Sequence, residues 1–146
     1  MNKIRIKRLL PEAKLPVYAS SSAAAADLCS AEKETVTVMP GKTVLIHTGL
    51  SAEIPEGYAG FIYARSGLAS KRGLAPANKV GVIDADYRGE IMVALHNHSD
   101  EPAKVESGER IAQLLIAAAP QFVFEEADEL SDTTRGAGGF GSTGSK

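Results

Sequence analysis

The sequence predicts an all-β domain, a sandwich or barrel of short antiparallel strands. Three features predict it. Apolar and polar residues alternate with period two, turn residues recur between the alternating runs, and only one short segment suits a helix. The length of 146 residues, with 44% hydrophobic and 23% charged residues, fits one globular domain and excludes general disorder.

The elements follow in order. Residues 3–7 (Lys-Ile-Arg-Ile-Lys) alternate as a half-buried strand does, and residues 35–39 do the same before stopping at Pro40-Gly41. Residues 42–50, rich in Thr, Val, Leu and Ile, form the next strand and end near Gly49. Residues 58–63 follow the turn Pro55-Glu56-Gly57, and residues 90–95 are closed by the polar stretch 97–102. Residues 110–116 follow Ser107-Gly108, and residues 122–124 form a last short strand after Pro120. Residues 66–72 suit one or two helical turns, with Ser66 as the N-cap and Gly73 as the stop. The run Ser22-Ala23-Ala24-Ala25-Ala26 has helix propensity, but it is short and lies between strand-like residues. It reads as a small-residue segment packed tightly against the body.

The β domain is expected to cover residues 1–130. From Ser131 onward the chain is polar and then Gly-rich, and residues 131–146 are expected to form a flexible C-terminal arm of the same domain. The arm carries Arg135 and Phe140 among its glycines. Extended, it spans roughly 50 Å, enough to reach a site on a neighbouring chain.

Composition narrows function. A net charge of -2 and a pI near 5.9 argue against capture of a nucleic-acid backbone. Aromatic residues are 5% with no Trp, so stacking platforms for single strands are scarce. The single cysteine, Cys29, forms no internal disulfide and reads as a small buried residue. The N-terminus lacks the apolar block of a signal peptide, and no apolar run approaches the ~20 residues of a membrane span. The expectation is a cytoplasmic protein with no membrane or nucleic-acid partner.

Two segments carry chemistry. Arg65-Ser66-Gly67 lies where a strand gives way to the short helix. Free N–H groups there, a Ser hydroxyl and a forked guanidinium suit a phosphate, although a solvated basic turn fits the same residues. Asn78-Lys79-Val80-Gly81-Val82-Ile83-Asp84-Ala85-Asp86-Tyr87-Arg88-Gly89 reads as a hairpin in which Val80, Val82 and Ile83 suit a buried arm. Gly81 allows a close backbone approach. Asp84 and Asp86 lie two residues apart, and spacing alone favours an Asp-rich turn; the functional reading is that one of these carboxylates takes a proton from water beside Tyr87, which can pack on a ring or sugar.

These segments stand in a fixed order with Asp27-Leu28, Pro55-Glu56-Gly57-Tyr58-Ala59-Gly60, Gly108-Glu109-Arg110-Ile111-Ala112-Gln113-Leu114 and Arg135-Gly136-Ala137-Gly138-Gly139-Phe140-Gly141-Ser142-Thr143-Gly144. Together they resemble the five motifs of the homotrimeric dUTPase family, across nearly the whole chain. The resemblance implies a distorted antiparallel β-barrel or jelly roll, the dUTPase-like β-clip, assembled as a trimer with shared active sites. It implies Mg²⁺-dependent hydrolysis of dUTP to dUMP and pyrophosphate, which keeps uracil out of DNA and supplies dUMP for thymidylate synthesis. Asp84 would be the catalytic base and would touch the sugar 3′-hydroxyl. Asn78 and the hairpin backbone at Gly81, Val82 and Ile83 would read uracil, and Tyr87 would lie against the deoxyribose. Arg65, Ser66, Gly67 and Gln113 would hold phosphates. Asp27 would anchor waters around Mg²⁺ rather than touch the ion. In the arm, Phe140 would stack on uracil, Arg135 would reach the γ-phosphate, and Gly141, Ser142 and Thr143 would close over the substrate. Ala25 and Ala26 depart from the family, which usually has Gly and then a larger residue there.

Two alternatives belong to other classes. A dCTP deaminase resembles this fold, but that family carries Arg-Ser-Ser at the second motif and a catalytic Glu on the strand that here reads Val93-Ala94-Leu95. A non-catalytic nucleotide-binding trimer would have lost Asp84 or the arm's Arg and Phe, and this chain has them. Among the remaining residues, His96 and His98 read as surface loop histidines, and His47 as a packed or interface residue. Residues 125–129 read as a solvated acidic linker. Lys71 and Arg72 are open between a plain surface and a place near phosphate.

Overall fold

Residues 3–139 are described in the structure, a computed structural model of the chain. In chain order the elements are β1 (Arg5–Arg8), β2 (Val17–Tyr18), β3 (Ala26–Cys29), β4 (Val36–Val38), β5 (Thr43–His47), β6 (Leu50–Glu53), β7 (Tyr58–Tyr63), α1 (Ser66–Arg72), β8 (Leu74–Pro76), β9 (Gly81–Ile83), β10 (Met92–Asn97), β11 (Ala103–Val105) and β12 (Arg110–Ala118). The class is all-β, as the period-two patterning requires. The strands form four sheets, and every pairing is antiparallel: β2-β3-β12-β7-β9, β5-β10-β8, β1-β6 and β11-β4. Among the described residues these sheets surround one core without closing into a single continuous barrel.

The core takes one or two side chains from nearly every strand. Leu28, Val38, Ile46, Leu50, Ile62, Leu74, Leu95, Val105 and Ile111 all belong to it. In β10 the alternation is direct: Val93, Leu95 and Asn97 are buried while Met92 faces out. In β12 the register shifts between Arg110 and Ala112, and this irregularity accompanies burial of the consecutive residues Ile111 and Ala112.

Several expectations change in detail. Residues 42–50 are two pieces, because the chain turns at Gly49 with φ +65 and restarts as β6. A Cβ on Gly49 would lie 2.8 Å from that of Ala13 and 2.9 Å from that of Leu10, so the turn is also packed shut. Ser66 is the first helical residue rather than the cap. Arg65, with extended backbone, holds the N-cap place and makes no side-chain cap. Gly73 ends α1 in the left-handed region, and its N–H reaches the last-turn carbonyls of Ala69 and Leu68. The alanine run is not packed throughout: Ala26 is buried where it enters β3, but Ala24 is exposed. Val82 is exposed, because it is the outward residue of β9 between buried Gly81 and Ile83. Residues 122–124 form no strand. Phe122, Val123 and Phe124 are 76%, 96% and 98% exposed, with no strand beside them among the described residues. Cys29 is half-buried, and burial raises its thiol pKa. Arg72 is not a bare surface cation; it pairs with Glu109, whose other oxygen accepts the Glu106 N–H at 2.9 Å.

One buried polar residue locks two sheets. Asn97 Nδ2 donates to the carbonyls of Val38 (2.8 Å) and Glu101 (2.7 Å), and Oδ1 accepts from the Ser99 N–H and hydroxyl. All its hydrogen-bonding capacity is used, so truncation strands several groups at once. Asn97→Ala is expected to destabilise the fold by about 3 kcal/mol, read from the denaturant midpoint. A change below about 0.5 kcal/mol would remove Asn97 from this role.

A second link joins the turn after β5 to the stretch before β10. Glu90 Oε1 accepts the Gly49 N–H at 2.8 Å, and Oε2 faces His47 Nδ1 at 2.9 Å. The Glu90 hydrogen bond raises the His47 pKa above its ordinary 6.5, and desolvation, then the His96 ring, lower that of His98. A raised histidine pKa stabilises the fold fully below about pH 6.5, and the gain is lost as pH rises through the folded-state value. An NMR titration should place the His47 midpoint above 6.5 and the His98 midpoint below it. Glu90→Gln should bring His47 back down; a His47 midpoint unmoved by that change would exclude the pairing.

Candidate functional site

The predicted site residues fall into two groups, one gathered just past the Tyr63 end of β7 and one on the hairpin that runs beside β7 and carries Asp84 to its other end. The first group is set by β12, the middle strand of its sheet. Its register places Gln113 opposite Asp27 of β3 on one side and Tyr63 of β7 on the other. Three motifs distant in sequence therefore meet. The Asp27 carboxylate accepts from Arg65 Nε at 2.8 Å and from Arg110 at 3.1 Å. Gln113 Nε2 donates to the carbonyl of Ala64 at 2.8 Å, which fixes the chain just before Arg65. Ser66 and Gly67 open the helix beside them, and both are exposed. Because no side chain caps α1, its first N–H groups have no partner in the helix. A Cβ built on Gly67 would meet nothing within 4 Å, so there is room for a ligand to approach.

The second group is the hairpin. Its arm β9 pairs with β7, with Ile62 opposite Gly81 and Gly60 opposite Ile83. Gly81 sits in a close approach: a Cβ there would lie 3.2 Å from both Asn78 Nδ2 and the Ile62 Cβ, tighter than ordinary contact. The turn before it holds Lys79 at φ +65, the one non-glycine residue at positive φ among the described residues. That conformation costs on the order of 1 kcal/mol, and it stands next to Asn78, which is exposed.

Asp84 follows β9 and lines a cavity of about 1110 Å³, which Lys3, Arg5, Tyr58, Asp86 and Arg88 also line. Both carboxylates of the Asp84/Asp86 pair are exposed and line this cavity. Arg88 closes the turn from behind, donating to the carbonyls of Ala85 (2.6 Å) and Tyr87 (2.9 Å). Tyr87 is partly exposed, and its hydroxyl donates to the Glu90 carbonyl at 2.9 Å.

Asp84 and Arg65 do not meet within the chain. Asp84 stands beyond the Gly60–Ile83 pair, whereas Arg65 follows the other end of β7. The six residue steps from Ala59 to Arg65 put the two roughly 20 Å apart at the rise of a strand.

Arg135 is exposed, and its Nε donates to the Gly138 carbonyl at 2.8 Å within a local turn. Phe140, Gly141, Ser142 and Thr143 lie outside the described residues. The sequence reading missed two contributors. Arg110 was quoted in its motif without its tie to Asp27, and Arg88 without its hold on the hairpin turn. The shift in β12 register at Arg110 has no signal in a single sequence.

Comparison with known proteins agrees with these motifs. The family model described as dUTPase matches residues 11–144. The deoxyuridine 5′-triphosphate nucleotidohydrolase of Desulfitobacterium hafniense (strain DSM 10664 / DCB-2) is 51% identical over 151 residues, covering 99% of this chain and 99% of that protein. The structure of the Staphylococcus bacteriophage 80alpha dUTPase with dUPNHPP matches with a TM-score of 0.91 at 31% identity, over 99% of each chain. A mutant dUTPase from phage phi11 of S. aureus, described with a coordinated structural Mg(II) ion, matches with a TM-score of 0.78 at 26% identity, over 88% of this chain and 98% of that one.

Proposed function

The chain belongs to the dUTPase family and hydrolyses dUTP, and from that premise we propose how its residues do so. Water attacks the α-phosphorus in line, giving dUMP and pyrophosphate. Asp84 takes the water's proton and touches the sugar 3′-hydroxyl. Its exposure on the cavity lining, on a turn tied down by Arg88, supports this role. Asn78 and the backbone at Gly81, Val82 and Ile83 read the uracil edge. A wrong base is refused because it leaves polar groups of the hairpin unpaired. Tyr87 packs on the deoxyribose where a 2′-hydroxyl would sit.

The Ser66 hydroxyl and the Gly67 N–H hold phosphate oxygens. Arg65 gives one N–H to Asp27 and keeps its other nitrogens for phosphate. Gln113 stands in the same patch. Arg135, Phe140, Gly141, Ser142 and Thr143 close over the triphosphate and base, excluding bulk water.

Asp27 fits an outer role toward Mg²⁺. Both its oxygens already accept from arginines, so it is not a free direct ligand. An ionised carboxylate nonetheless keeps lone pairs for water, and Mg²⁺ prefers phosphates and water to a protein cage. When bound, the ion would neutralise charge on the triphosphate. This chain's residues position the substrate and the attacking water.

The observation that carries a shared site is the separation along β7. Asp84 and Ser66 must both come within a few ångströms of the same phosphoryl group, yet one chain holds them roughly 20 Å apart. Each site therefore takes Asp84 from one copy and Ser66 from another, and a homotrimer supplies three such pairings. The exposed Phe122, Val123 and Phe124 support this reading, since among the described residues nothing covers them.

Pyrophosphate release from dUTP, dTTP, dCTP and UTP, each with Mg²⁺, tests the activity. Strong preference for dUTP is expected, and equal cleavage of all four would overturn the pocket. Asp84→Asn should bind dUTP and turn it over at least 100-fold more slowly, while near-normal turnover would remove Asp84 as the base. Assemblies co-expressed from Asp84→Asn and Ser66→Ala chains test the sharing. Each variant alone should be nearly inactive, and random mixing should restore roughly a quarter of the sites. No recovery in confirmed mixed assemblies would place both residues on one chain.

A further inference from the structure

We infer that Gly89 is a specificity-determining residue: the absence of its side chain makes the space in which the Tyr87 ring lies, and so fixes the ring position that separates deoxyribose from ribose. The inference rests on the proposed placement of Tyr87 against the sugar.

Glycine at this position has no backbone explanation. Gly89 is not among the residues at positive φ, so an L side chain fits its main-chain conformation. Sterics point elsewhere. A Cβ built on Gly89 would stand 2.6 Å from Tyr87 Cζ and 2.9 Å from Cε2, and closer still to Oη. Those are its three nearest neighbours, and all belong to one phenol ring. The glycine is therefore a seat for that ring.

The seat is held on several sides. Tyr87 Oη donates to the Glu90 carbonyl at 2.9 Å, which pins the far end of the ring across Gly89. The Glu90 side chain is tied to the Gly49 N–H and to His47, so the accepting carbonyl has a fixed base. On the other side of the glycine, the Arg88 carbonyl accepts from the buried Ser51 hydroxyl at 2.7 Å. The ring is supported on this side, and Tyr87 as a residue is still 44% exposed, which leaves it a surface to offer a ligand. A methyl group on Gly89 strikes the end of a rotatable side chain, so the ring yields before the backbone does. The result is a displaced ring and a sugar pocket with room for one more hydroxyl.

The test compares kcat/KM for dUTP with that for UTP in the wild type, Gly89→Ala, Tyr87→Ala, Tyr87→Phe and the Gly89→Ala/Tyr87→Ala double variant. Unfolding temperature and assembly state are read alongside. Gly89→Ala should lower the dUTP-over-UTP ratio roughly ten- to hundredfold, toward that of Tyr87→Ala, with the unfolding temperature kept. The double variant should match Tyr87→Ala alone, because the methyl then has nothing to strike. Tyr87→Phe, which loses only the bond to Glu90, should lower the ratio severalfold and decides the matter if Gly89→Ala does not fold. A wild-type ratio in a folded Gly89→Ala, or in Tyr87→Phe where that variant must decide, overturns the seat. An unchanged ratio in Tyr87→Ala overturns the placement of Tyr87 on the sugar instead.

Discussion

The pairing of β12 between β3 and β7 is the constraint on which the rest depends. It is the longest strand, it lies in the middle of the largest sheet, and its inward residues Ile111, Ala112 and Leu114 are buried. Because a one-residue slip would turn those side chains outward, its register is set by burial. That register brings Gln113 level with Asp27 and Tyr63. The patch of Asp27, Arg65 and Gln113 is thus a by-product of core packing, with no separate device needed to gather it. The same sheet carries β9 at its edge, so the hairpin is aligned by the same hydrogen-bond ladder.

Charge refines what the ladder sets. Asp27 is mostly buried yet faces two guanidinium groups, and it keeps a carboxylate in place by pairing rather than by exposure. Arg65 is thereby held in one direction, with less side-chain freedom to lose when a phosphate arrives. Arg88 does similar work at the hairpin with two carbonyls in place of a carboxylate.

Much of this was legible in the sequence, and the failures have physical causes. The limits of β7 and α1 agree with the reading because Gly57, Gly73 and the alternation between them are strong local signals. The short strands β2, β3, β6, β8 and β11 are absent from that reading. Residues 122–124 look like a strand by composition, but a strand needs a partner, and a single sequence does not say which chain provides one. The site residues were named through five ordered motifs. The separation of Asp84 from Arg65 along β7 is not visible there, because it depends on pairing distance rather than on residue type. The alternation rule also misjudged Val82, which shares its strand with buried neighbours but points the other way.

The bare apolar strip at 122–124 also bears on life outside the assembly. A solitary protomer carries two phenyl rings and a valine in water on a strand-prone stretch, a composition that favours indiscriminate sticking between chains. In the proposed homotrimer, newly made chains would pass through that state before they find one another. Yield in the cell and resistance to clumping would then hinge on how soon copies meet, and dilution would weaken solubility and folded-state persistence together.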